Sequence, residues 1–198
     1  MSDGIGWLLE PYLVDCVTFA SGIPPAALAA RLGSVPGREA RPGSAQDAQE
    51  ALGRGARCVA RVGEVAGWAF AVEYGDAVGA TAGGLVAVSR GGVAAVNFQL
   101  TPWSPPSLFR HYLDGAYVTG FGVGDEARRY GTKPGLLVPE LEALGVLPSG
   151  PQLDQRGMRL TMLAIEDHFG LHLPRRQVLY GELPMYHLRA GRRAAAQS

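Results

Sequence analysis

Charge of either sign is scarce in this sequence and cancels: 18 Lys and Arg stand against 18 Asp and Glu, a formal net charge of zero in 198 residues. With no net field to recruit a polyanion, the composition argues against a general nucleic-acid binder and against charge-driven attachment to an anionic membrane. Lysine is nearly absent, Lys133 standing alone beside the arginines. Together with the load of Ala and Gly, this reads as the coding bias of a GC-rich genome, and the arginines are discounted as phosphate contacts accordingly. Cysteine is scarce too. Cys16 and Cys58 have neither the CxxC nor the Cys/His spacing of a zinc site, so buried free thiols are expected, with no metal and no cofactor. No apolar run is long enough for a membrane span, and Met1-Ser2-Asp3-Gly4 carries no basic leader, so the expected compartment is the cytoplasm. Repeats and extended low-complexity blocks are missing as well.

What is present organises itself around Val62 to Gly75. Trp68, Phe70 and Val72 alternate with Ala69, Ala71 and Glu73, and Cys58, Ala60 and Val62 alternate with Val59, Arg61 and Gly63, which predicts two strands joined across Glu64-Val65-Ala66-Gly67. Leu85 to Ser89, then Val93 to Leu100, predict two further strands about Arg90-Gly91-Gly92. Leu108 to Leu113 and Ala116 to Phe121 flank Asp114-Gly115, a strong hairpin signal. Helical spacing predicts an amphipathic helix from Ile5 to Ala20, a short helix at Ala26 to Leu32 and another at Ala45 to Leu52 with Ser44 and Asp47 as a capping box. Ser34 to Gly43 reads as an irregular linker and Asp125 to Pro134 as a polar loop leaving the sheet. Helices are predicted over Leu136 to Leu144, Asp154 to Phe169 and Pro174 to Leu179. The expectation is one α+β domain over residues 1–188: an antiparallel meander sheet of five to six strands, with the N- and C-terminal helices packed on one face. A disordered Arg/Ala-rich tail follows over 189–198.

Few groups stand in a pattern that carries chemistry. Gly120-Phe121-Gly122-Val123-Gly124 follows a strand as a dinucleotide loop would, but Asp125-Glu126 puts negative charge where a pyrophosphate would sit. His168 and His172 are four apart, with Gly170 breaking the helix between them. No Gly-x-Ser-x-Gly elbow is present, and Cys16 belongs to an apolar stripe. Arg128, Arg129, Tyr130 and Lys133 form the one cationic cluster with an aromatic, and Trp103 sits on the proline-framed loop Thr101 to Ser107; both have the composition of interface anchors.

With those residues in place, the chain resembles an uncharacterised actinobacterial domain family of unknown function. The resemblance rests on Cys16-Val17-Thr18-Phe19, Gly22-Ile23-Pro24, Arg31-Leu32-Gly33, Gly67-Trp68, Val72-Glu73, Gly75, Asp114-Gly115 and Arg129 to Pro134. Phe169-Gly170 and Leu173-Pro174 extend it, so that it spans about Trp7 to Gly181, and it implies no reaction. The functional expectation is a cytoplasmic protein-binding or accessory protein of the immunity, adaptor or regulatory kind, its partner another protein, contacted through Trp103, Arg128, Arg129, Tyr130 and Lys133. The alternative is a small-molecule enzyme with a pocket between the sheet and the C-terminal helices, using His111, Tyr112 and Glu73.

Overall fold

The computed structural model describes residues 3–10, 14–36, 40–100, 106–148 and 154–189. Its frame is one antiparallel sheet of nine strands: β1 (Cys16–Ser21), β2 (Arg41–Gly43), β3 (Cys58–Val65), β4 (Trp68–Gly75), β5 (Ala94–Gln99), β6 (Leu108–Leu113), β7 (Ala116–Gly122), β8 (Asp125–Tyr130) and β9 (Leu183–His187). They lie in the order β2-β9-β3-β4-β1-β5-β6-β7-β8. Two hairpins owe their tightness to two-residue turns with both residues at positive φ: Ala66-Gly67 between β3 and β4, and Asp114-Gly115 between β6 and β7. That backbone matches the twist of the strands it joins.

The sheet is larger than five to six strands and is not a simple meander. Ile5 to Ala20 is not a helix: a 3-10 turn, Gly6–Leu9, precedes β1, which inserts between β4 and β5. Cys16 to Ala20 are buried on both faces, so the segment lacks the alternation that marks a half-exposed strand, and its apolar positions also fit a helical stripe. Conversely, the apolar run expected as a strand at Leu85 to Ser89 belongs to a helix, Ala82–Ser89, started by Thr81, whose hydroxyl accepts from the Gly84 N–H. Asp125 to Tyr130 stays in the sheet as β8, and the linker contains β2, held by β9 through three residue pairs.

Helices cover both faces, not one. On the first face lie the 3-10 turn, α2 (Ala45–Gly53), α4 (Val138–Ala143), α5 (Gln155–Phe169) and α6 (Arg175–Tyr180), over Phe19, Phe70, Phe98, Phe109 and Phe121. On the second lie α1 (Pro25–Arg31) and α3 (Ala82–Ser89), over Ala20, Ala60, Ala69, Ala71 and Ala95. Alternation along each strand separates large from small side chains, and the alanine face lets α1 and α3 approach the sheet closely. No helix among the described residues is long and apolar enough to cross a membrane.

Candidate functional site

The second face carries a buried polar network built by strand register. Glu73 on β4 lies beside Cys16 on β1, which lies beside Gln99 on β5; one step along, Thr18, Asn97 and Arg110 line up across β1, β5 and β6. Glu73 is 1 % exposed and accepts from the backbone N–H of Val78 (2.7 Å) and Gly79 (3.1 Å), from the Thr18 hydroxyl (3.2 Å) and from the Cys16 thiol (3.7 Å). Burial pushes its carboxyl above the usual range, although the hydrogen bonds from Gly79, Val78, Thr18 and Cys16 oppose the shift. Asn97 donates to Thr18 Oγ1 (3.0 Å) and accepts from Arg110 (2.8 Å), whose guanidinium also donates to the Ala80 carbonyl (3.0 Å). Burial and then the Glu73 charge push the Cys16 thiol far up, so it is no nucleophile. The network pins the segment 76–81 to the sheet, with both Glu73 carboxylate oxygens accepting hydrogen bonds.

His111, Tyr112 and Glu73 are not brought together. His111 faces α5, its ring 4.9 Å from that of Phe169 and its Nδ1 3.1 Å from the Ala95 carbonyl. Tyr112, one residue on, faces the other way and stacks on Tyr117 at 5.1 Å. Glu73 also sits on the second face, three strands from β6. Burial, and then His168, hold the His111 pKa below its usual value, while the Ala95 bond works against them. Beside His111, the Thr119 hydroxyl is buried and has no hydrogen-bond partner among the described residues. His168 makes a 2.6 Å contact with Glu140 that ties α5 to α4. No three His, Cys, Asp or Glu among the described residues are grouped to hold a metal. One groove of about 340 Å³ runs past Trp7, Arg159 and Leu163, and another of about 510 Å³ past Arg176 and Tyr180; neither is lined by His111 or Glu73.

Arg128, Arg129 and Tyr130 of the cationic cluster lie on the edge strand, and Lys133 lies just past it. Gly122 pairs with Asp125 and Gly120 with Tyr130, so two steps on β7 face five on β8, and the segment between arches away from its neighbour. Inside the arch Glu126 is 3 % exposed and accepts from the Gly124 N–H and the Thr161 hydroxyl of α5, while Arg129 donates to the Glu126 carbonyl. Beyond it the N–H groups of Thr132 and Lys133 donate to the carbonyls of Tyr117 and Val118. Outside, the Arg128 side chain is 76 % exposed, with Asp125 at 3.7 Å, and Tyr130 is 62 % exposed. Lys133 is exposed as well. Trp103 lies outside the described residues. The residues that the sequence reading passed over are Thr18, Asn97, Arg110, Glu126 and Thr161. The one available signal was a polar residue inside an apolar strand or helix stripe.

Among protein-family models, one described as a family of unknown function, DUF6461, matches residues 6–165. No curated protein and no solved structure matches the chain.

Proposed function

This chain belongs to DUF6461, a family of unknown function, and we propose that it is a cytoplasmic protein-binding or accessory protein whose contact surface is the arched edge of the sheet. The observation that carries this reading is the direction of Glu126. Two acids precede the cluster in sequence and would stand beside its cations in an extended loop, yet Glu126 turns into the fold against Thr161 and Gly124. Arg128, Tyr130 and Lys133 are exposed, and Arg128 has beside it Asp125, whose side chain is 19 % exposed. Exposed arginine and tyrosine on a fixed frame are the residues that anchor protein interfaces. Three hydrogen-bonded positions, at Glu126, Thr132 and Lys133, hold that frame before any partner arrives, which lowers the ordering cost of binding.

The test is an affinity pull-down from the native cytoplasm with the wild type, the Arg128→Ala, Tyr130→Ala double variant and a Tyr180→Ala control, Tyr180 being an exposed aromatic on α6. A partner captured by the wild type and the control but lost by the double variant is expected. Identical eluates from all three would remove the reading.

A further inference from the structure

Resting on the protein-binding reading above, we infer that the occupant of the arched edge is an acidic polypeptide segment, lying along β8 with its carboxylates against Arg128 and Lys133 and an uncharged side chain on Tyr130. Charge complementarity carries the first half. Of the two acids in the segment, Glu126 turns into the fold and Asp125 is mostly covered, so the charged side chains the segment exposes are the cations Arg128 and Lys133, although the whole chain is neutral. A field of so few charges reaches only about a Debye length, roughly 8 Å in physiological salt, and therefore selects a short segment at contact range rather than a distant polyanion.

The backbone carries the second half. β8 closes the strand order, and among the described residues no strand lies on its outer side. An edge strand offers main-chain N–H and C=O groups to another polypeptide, here with the Glu126 carbonyl already held by Arg129, and neither a sugar–phosphate chain nor a lipid headgroup offers that alternation. A nucleic acid would gain only about three phosphate contacts at this surface, too few for tight binding at physiological salt. Tyr130, the residue paired with Gly120, adds the aromatic that a segment with alternating acidic and uncharged side chains would cover.

The probe is a short fluorescein-labelled peptide of alternating Glu and Val, titrated against the whole chain by anisotropy beside its Gln/Val counterpart and a labelled oligo-dT. The Glu/Val peptide is expected to bind, to weaken steeply between roughly 0.05 and 0.3 M salt, and to lose about tenfold or more in affinity to Arg128→Ala with Lys133→Ala. Tyr180→Ala should bind as the wild type does, and thermal unfolding of each variant confirms that it is folded. Absence of Glu/Val binding, equal binding of the Gln/Val peptide, or tighter binding of oligo-dT overturns the inference. If the peptide fails while the pull-down partner is still lost in the Arg128→Ala, Tyr130→Ala variant, the acidic occupant falls and protein binding stands. A pull-down indifferent to that variant removes both.

Discussion

Gly79 shows how little room the polar network leaves. A Cβ there would lie 2.2 Å from Thr18 Oγ1 and 2.3 Å from Glu73 Oε1, whereas one at Gly83, on α3, would meet nothing within 4 Å. Gly79→Ala should therefore lower stability by roughly 1–3 kcal/mol, while Gly83→Ala should leave it unchanged or raise it by up to about 1 kcal/mol, a contrast that paired urea titrations can read. His111 and Glu140 each contribute to the acid response. The His111 pKa is held down in the folded chain, so below its ordinary value of 6.5 the unfolded chain takes up a proton that the folded one refuses. Stability should fall as pH drops through 6.5, and the urea midpoint of His111→Gln should slope less there. Burial alone would raise the Glu140 carboxyl, but the His168 hydrogen bond, the Glu140 backbone N–H and the His168 charge together outweigh it, and the net shift is downward. Its contribution is complete above the ordinary value of 4.5 and is lost as pH falls below it, so Glu140→Gln should flatten the profile at that lower step.

Among the elements, one side chain ties both α6 and β2 to β3. Arg61 of β3 is fully buried and donates to the carbonyls of Gly43 (2.9 Å), Val178 (2.8 Å) and Gly181 (2.6 Å) and to the Tyr74 hydroxyl (2.9 Å). Arg61→Met removes the donor shared by the Gly43, Val178 and Gly181 carbonyls and the Tyr74 hydroxyl, so a loss of roughly 3 kcal/mol or more is expected. Hydrogen exchange should show α6 and β2 losing protection ahead of β4 and β1. The sequence declares Arg61 only as one member of an alternating strand, because its partners lie up to 120 residues away. The same distance separates what was legible from what was not. Asp114-Gly115 and the capped ends of α5, Asp154 and Gly170, are local signals and predict their elements closely. β9 exists because it pairs with β3, and β2 because it pairs with β9, which no short window contains. At the candidate surface, Arg128 to Lys133 could be read as a cationic cluster from composition, but the inward turn of Glu126 depends on Thr161 of α5, 35 residues on.

For the molecule as a whole, both thiols are sealed in the second-face core. Burial and the neighbouring Glu73 push Cys58 up to about 12, and Cys16 is shifted upward by the same causes. An aromatic disulfide reagent should therefore label neither in the folded protein near neutral pH and both once urea unfolds it; rapid labelling of either in the native state would contradict this packing. The position of β1 has a separate bearing on how the sheet is made. β1 pairs with β4 from Cys16 to Glu73 and with β5 from Cys16 to Gln99. On a ribosome adding about 5–20 residues per second, its second partner is completed on the order of 1–5 s after its first. For that interval the future centre of the sheet is an open edge, a stage at which a translating chain is exposed to pairing with its neighbours on the same message.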